Sequence, residues 1–313
     1  MLVSRGDHRR SMRIVHLIDS LEVGGTELHV LKLTRALQRR GVPVRVVCIG
    51  PTGPLQAEYD GSGVELRFSR VTSFKSLGLL NRLKAIRQAV EDDGTTIVHA
   101  HDIYSNVVGG MLARRRNRWR FIASQRWDRP ERMVWRLATR AAFARADSIT
   151  ANGPGTADIA AKLAGRRSDR VVSVENFLEA ECFDPPGDRL ALLRTFAPSV
   201  GAEPLVLGYV GRLDALKRVD WLIRALDALR DRELHLVLVV VGDGAERVAL
   251  ETLVRSLGLE NRVFFAGARP RLPLPHSVFD IALLASSTEG TPNTLVEAMA
   301  CGAAVVATAV GGV

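Results

Sequence analysis

The chain has 313 residues, 47% hydrophobic and 25% charged, which excludes a disordered or collagenous polymer and allows two domains of ordinary size. Its 43 basic side chains, nearly all arginine, outnumber 34 acidic ones and leave a formal charge of +9. No apolar run approaches the roughly 18 residues of a membrane span, and Cys48, Cys182 and Cys301 are too few and scattered for a disulfide framework or a metal motif.

In chain order, residues 1–11 are basic and lack the apolar core of a signal peptide, so they are expected to form a disordered tail. Residues 12–18 read as a first strand. A loop ending in Gly24-Gly25 leads into an amphipathic helix over 26–40, closed by Gly41. Strands follow at 44–49, 64–68, 96–100, 121–124, 148–151 and 171–174, with helices between, one of them over 77–91. Residues 176–204 interrupt the rhythm with Pro185-Pro186-Gly187 and Pro198, and read as a linker around a short helix. The alternation resumes with strands at 205–210, 234–241, 263–265, 281–285 and 304–307. Such alternation predicts an α/β architecture, with parallel sheets covered on both faces by helices.

Ligands of open α/β sheets bind beyond the carboxyl ends of the strands. Most unusual residues fall there. Glycines at 24 and 25 permit close backbone approach, or simply a tight turn, and lack the dinucleotide fingerprint. His101 follows the strand containing His99 and suits a general base, a holder of a substrate hydroxyl or a structural role; no third ligand joins the pair as a metal cluster. Arg212 and Lys217 follow the first strand after the linker. Arginine can grip a diphosphate through two donors, with lysine adding a point charge. In residues 280–313, Glu289 lies on a loop and Glu297 within the helix that Asn293 and Thr294 are expected to cap. That helix start suits a phosphate, with Glu297 placed for a ribose diol, although two solvated glutamates fit the same spacing. Eleven arginines crowd residues 114–145. Arg132, Arg136 and Arg140 run beside Met133, Leu137 and Ala141, a pattern that fits anionic lipid or a solvated face better than nucleic acid.

Five stretches together resemble the retaining glycosyltransferases of family 4, with the GT-B type of fold: VGGTELHVLKLTRALQRRGVPVRVVC, IVHAHDIYSNVVGG, LGYVGRLDALKRVDWLIRAL, VVVGDGAERVALETLVRSLGLENRVFFAG and EGTPNTLVEAMACGAAVVATAVGGV. The last carries the paired glutamates, Glu289 and Glu297, eight residues apart. The resemblance implies two Rossmann-like domains facing across a cleft. An acceptor-side domain would span residues 12–177, a linker 178–204 and a donor-binding domain 205–313. It implies that Gly24 and Gly25 lie near the donor, that Arg212 and Lys217 bind its diphosphate, and that Glu289 contacts the transferred sugar. Glu297 would hold the ribose, and Gly290 and the amides around Asn293, Thr294 and Leu295 would line the donor site. His101 would be a cleft histidine. Arg126 stands where many relatives carry another histidine, and is expected on the catalytic side.

The implied reaction moves a sugar from a nucleotide diphosphate sugar to a hydroxyl of a lipid-linked or polysaccharide acceptor. It proceeds with retention and without a metal or other cofactor; the arginine-rich stripe adds the expectation of a cytoplasmic enzyme peripheral to the inner face of the cell membrane. The family continues past Gly311-Gly312 with further strand and helix, so the second domain is expected to be incomplete. A non-catalytic nucleotide-sugar-binding protein and a two-Rossmann epimerase are the alternatives; the missing glycine fingerprint argues against a nicotinamide dehydrogenase.

Overall fold

The computed structural model describes residues 12–71, 74, 78–91, 94–114, 117–127, 132–167, 169, 171–178, 183, 188–201, 204–230, 232, 234–268 and 275–313; the expected tail lies outside them. Two compact units divide the chain, Met1–Asn176 and Phe177–Val313.

The first unit is a seven-stranded, wholly parallel sheet: β1 (Ile14–Ile18), β2 (Val44–Cys48), β3 (Glu65–Phe68), β4 (Ile97–Ala100), β5 (Arg120–Gln125), β6 (Ser148–Ala151) and β7 (Val172–Ser173). The connections carry α1 (Gly25–Arg39), α2 (Gln56–Asp60), α3 (Leu79–Glu91), α4 (Ile103–Leu112), α5 (Met133–Arg145) and α6 (Pro154–Ala164). Spatial order runs β3-β2-β1-β4-β5-β6-β7, so the winding reverses between β1 and β4. Alternate residues feed two cores: Val15, Leu17 and Val47 on one face, Ile18, Val46 and Cys48 on the other. The helix α2 follows a Pro/Gly-rich stretch, Pro51, Gly53 and Pro54. Tyr59 is fully buried there, and its packing against the second core holds five residues with no strong helix signal of their own.

The second unit contains α7 (Arg189–Phe196), β8 (Leu205–Val210), α8 (Val219–Ala228), β9 (Leu236–Val241), α9 (Arg247–Leu257), β10 (Val263–Gly267), β11 (Ile281–Leu284), α10 (Asn293–Ala300) and β12 (Ala304–Ala307). Its five parallel strands lie in the order β10-β9-β8-β11-β12, and the winding reverses between β8 and β11. The interior strand β9, LVLVVV, is buried throughout, as a strand covered on both faces must be. Leu236, Leu238 and Val240 enter one core, and Val237, Val239 and Val241 the other. Each such side chain contributes roughly 2 kcal/mol by leaving water.

The stretch read as a linker differs from that expectation. Asp188 caps α7 by accepting from Ala191 N, and Leu193, Phe196, Ala197 and Val200 join the core that contains Val206, Val237 and Val239. Arg189 ties the helix to Asp280 at 2.7 Å. The proline and glycine signal marked a boundary but hid the apolar face of a helix belonging to the second unit.

Among the described residues no helix is long and apolar enough to cross a membrane.

Candidate functional site

In the second unit the loops after β8 and β11 flank the reversal of winding, where open sheets leave a crevice. The first loop passes Gly211, Arg212 and Leu213 into a single 3-10 turn, Ala215–Lys217. Gly242, at the end of neighbouring β9, has φ +140°, and a Cβ there would lie 1.9 Å from the carbonyl oxygen of Gly211. Glycine is therefore required for the two strand ends to close together. Arg212 is exposed and lies 3.4 Å from Asp214, while Tyr209 Oη donates to its carbonyl at 2.8 Å. Arg218 adopts a left-handed conformation, φ 48°, and its guanidinium sits 4.0 Å over the ring of Trp221.

The two loops are joined directly. Lys217 Nζ donates to Glu289 Oε1 at 2.6 Å, with side chains only 18% and 10% exposed, and Ser287 N donates to Leu216 O at 2.8 Å. Gly290 O accepts from Gly312 N at 2.9 Å, which fixes the loop ahead of α10. The expected capping by Asn293 and Thr294 does not occur. Pro292 stands at the cap position, no side chain caps the helix, and Thr294 Oγ1 instead meets His276 Nε2 at 2.9 Å. Proline offers no side-chain acceptor, so α10 starts without a side-chain cap and its first amides can serve an anion. Leu295 is buried beneath that turn, and Glu297 is half-buried one turn in. The second unit thus brings Lys217, Glu289 and the start of α10 to one edge, with Arg212 on the same loop as Lys217.

In the first unit β1 and β4 flank the corresponding reversal. Gly24 stands at the N-cap of α1 without a side-chain cap, and Gly25 opens the helix. A Cβ on Gly24 would lie 2.3 Å from Glu27 Oε2, so the Glu27 carboxylate folds against this helix start. Asp102 caps α4 by accepting from Ser105 N at 2.7 Å, and its other oxygen accepts from Asp19 N at 3.0 Å. Burial raises the Asp102 carboxyl well above the ordinary aspartate value, and the neighbouring Asp19 raises it further.

His101 is fully buried and its ring reaches no solvent. Its Nε2 lies 2.9 Å from Nδ1 of His16, a residue not singled out by the sequence. The register explains the meeting: His16 pairs with His99 across β1 and β4, and His101 follows two residues later on the same sheet face. Three histidines therefore converge, correcting the reading that no third ligand joins the pair; the strand period applied to β1 would have identified it. Desolvation lowers all three imidazoles, His16 to about 3, and places His29 of α1 at about 2, so they are neutral at ordinary pH. His99 Nε2 meets Ser124 Oγ at 2.8 Å, and Ser124 Oγ meets Thr150 Oγ1 at 2.8 Å. Arg126, half-buried just beyond β5, donates to Asn176 Oδ1 at 2.8 Å; desolvation pushes it down to about 10, against the pull of Glu27.

Known proteins agree with this anatomy. Residues 23–181 match the family model described as Glycosyltransferase Family 4, and residues 204–313 match that of Glycosyl transferases group 1. The chain is 31% identical to a D-inositol 3-phosphate glycosyltransferase of Geodermatophilus obscurus, over 93% of this chain and 71% of that protein. It is 27% identical to a 2-deoxystreptamine N-acetyl-D-glucosaminyltransferase of Streptomyces fradiae, over 93% and 76%. Among solved structures, HepE of Anabaena in complex with UDP and glucose superposes with a TM-score of 0.82 at 24% identity, covering 96% of this chain and 82% of that one. Sucrose-phosphate synthase of Thermosynechococcus elongatus gives 0.78 at 21% identity, covering 96% and 82%. The chain belongs to the family 4 glycosyltransferases, and is a transferase enzyme built from two Rossmann-like domains of the GT-B type.

Proposed function

We propose that the enzyme transfers a sugar from a nucleoside diphosphate sugar to a hydroxyl of a lipid-linked or polysaccharide acceptor, with retention at the anomeric carbon and without a divalent ion on the diphosphate. The observation that carries this reading is the Lys217–Glu289 pair beside the uncapped start of α10, at the winding reversal of the second unit. Amides and cations there suit a diphosphate. Solved relatives bound to UDP and UDP-glucose support this donor class.

In the proposed reaction the bond from the anomeric carbon to the β-phosphate oxygen breaks, and the bond to the acceptor oxygen forms on the same face. The acceptor proton passes to the leaving phosphate. Lys217, Arg212 and the amides of Asn293, Thr294 and Leu295 neutralise charge as it grows on that phosphate, the task a metal performs elsewhere. Glu289 holds Lys217 and meets the sugar hydroxyls, and Glu297 takes the ribose. Gly24 and Gly25 supply backbone close to the donor. Arg126 acts on the acceptor side, and His101, sealed from solvent, positions groups around it.

An anionic membrane surface fits as the place of action. On α5, Arg132, Arg136 and Arg140 are exposed beside Met133, Val134 and Leu137, the last three 66%, 66% and 59% exposed. A relative in lipopolysaccharide biosynthesis shares the fold.

The test offers a panel of nucleotide sugars with lipid-linked, inositol phosphate and oligosaccharide acceptors. Expected is acceptor-dependent release of a nucleoside diphosphate, unchanged by added Mg²⁺ or Mn²⁺. An isomerised sugar nucleotide, or donor binding without turnover across the panel, would overturn it.

A further inference from the structure

The first unit contains a cluster of three histidines, of which the proposed transfer uses only His101, as a positioning group. From it we propose that His16, His99 and His101 form a binding site for one divalent transition metal ion, zinc being the natural occupant, inside the first unit. One ring nitrogen from each lies within 4.8 Å of the other two. Nitrogens sharing a zinc ion at about 2.0–2.1 Å stand roughly 3–3.5 Å apart, so side-chain shifts of about an ångström complete the site. His16 Nδ1 and His101 Nε2, already 2.9 Å apart, span about the right distance.

The surroundings favour an ion over a merely packed cluster. Among the described residues His16 Nε2 and His101 Nδ1 have no hydrogen-bond partner, so each ring's one hydrogen bond is to the other, through the two nitrogens that would face the ion. His99 has the outer support typical of a metal-bound histidine: Ser124 Oγ lies 2.8 Å from its Nε2, leaving Nδ1 as the donor to a metal. Imidazole ligands without thiolate or an octahedral oxygen set point to zinc or its borderline neighbours, not to magnesium or calcium. The ion would tie β1 to β4 where the winding reverses. It would serve as a structural brace, separate from the donor diphosphate in its protein ligands and its metal preference.

The test uses the full chain without a histidine tag, dialysed against zinc and analysed for bound metal. One equivalent per chain is expected, with affinity falling about 10–100-fold in His99→Gln and in His101→Gln. His235→Ala, which alters an exposed histidine of the second unit, leaves affinity unchanged. Cobalt substitution provides a measurement on the unaltered chain, and the visible bands of a low-symmetry four-coordinate ion are expected. The proposal is overturned by retention of well under one equivalent, by cobalt spectra matching the hydrated ion, or by affinities insensitive to both variants while their circular dichroism remains native.

Discussion

Lys217 Nζ lies 2.6 Å from Glu289 Oε1, so a cation following β8 and a carboxylate following β11 form a largely buried pair across the winding reversal of the second sheet. Removing either partner strands the other charge. Glu289→Gln and Lys217→Met are each expected to cut transfer by roughly 10²–10³-fold and to cost about 3 kcal/mol of stability. The double variant should recover part of the stability and none of the activity. Melting temperatures and initial rates on the three proteins test this, and full activity in either single variant defeats the assignment.

The buried histidines make the first unit acid-sensitive. In the folded chain His16 and His29 stay neutral down to about 3 and about 2, and His99 and His101 are likewise lowered. Unfolded imidazoles take up protons below about 6.5. The unfolded chain therefore binds more protons in this window, and stability falls as pH drops from about 6.5 towards 3, by about 1.4 kcal/mol per pH unit for each histidine. Urea midpoints between pH 7.5 and 5.5 should show the fall, and His29→Leu should make it shallower.

Asp102 has the opposite dependence. Its folded carboxyl is raised, so its contribution to stability is fully present below the unfolded value near 4 and is lost as pH rises through the folded value. Asn at this position can still accept from Ser105 N. Asp102→Asn should therefore gain stability relative to the parent between pH 4 and 7. A constant difference across that range would contradict the expectation.

At Gly242 the combination of φ +140° and a 1.9 Å approach to Gly211 O leaves no room for a methyl group. Gly242→Ala is expected to cost about 2–3 kcal/mol and to weaken donor binding by displacing the Arg212 loop. Calorimetry with UDP and thermal melting report the two effects separately.

Reversing Arg132, Arg136 and Arg140 of α5 to Glu should release the protein from anionic vesicles. Each arginine supplies about 1 kcal/mol near such a surface, so the triple change reduces binding by at least about 100-fold. Flotation with anionic and neutral vesicles checks this, and equal recovery of parent and variant rejects the membrane reading.

Much of this was legible in the residue pattern. β6, β8 and β12 begin and end where they are expected, and β8, largely buried on both faces, is a continuous apolar run in sequence. The α/β architecture of two parallel sheets followed from the alternation of strand and helix, and the two Rossmann-like domains from the resemblance to the family. Less legible was what depends on register and long-range packing. His16 looks like one polar residue in an apolar strand until β1 is laid beside β4. The helix α2 owes its form to a buried tyrosine, and Thr294, expected to cap α10, lies inside that helix and meets His276 instead. Local propensity carries no record of such distant partners.

The packing of α7 sets where the chain can be cut. A fragment beginning at Leu205 matches the strand pattern, yet it lacks Leu193, Phe196, Ala197 and Val200, which line one of the two cores of the second unit. Such a fragment would expose Val206, Val237 and Val239 along one sheet face and invite self-association. Separate expression, isotope labelling or domain exchange of the second unit therefore needs its first residue ahead of Asp188, within the stretch that looks most like a hinge.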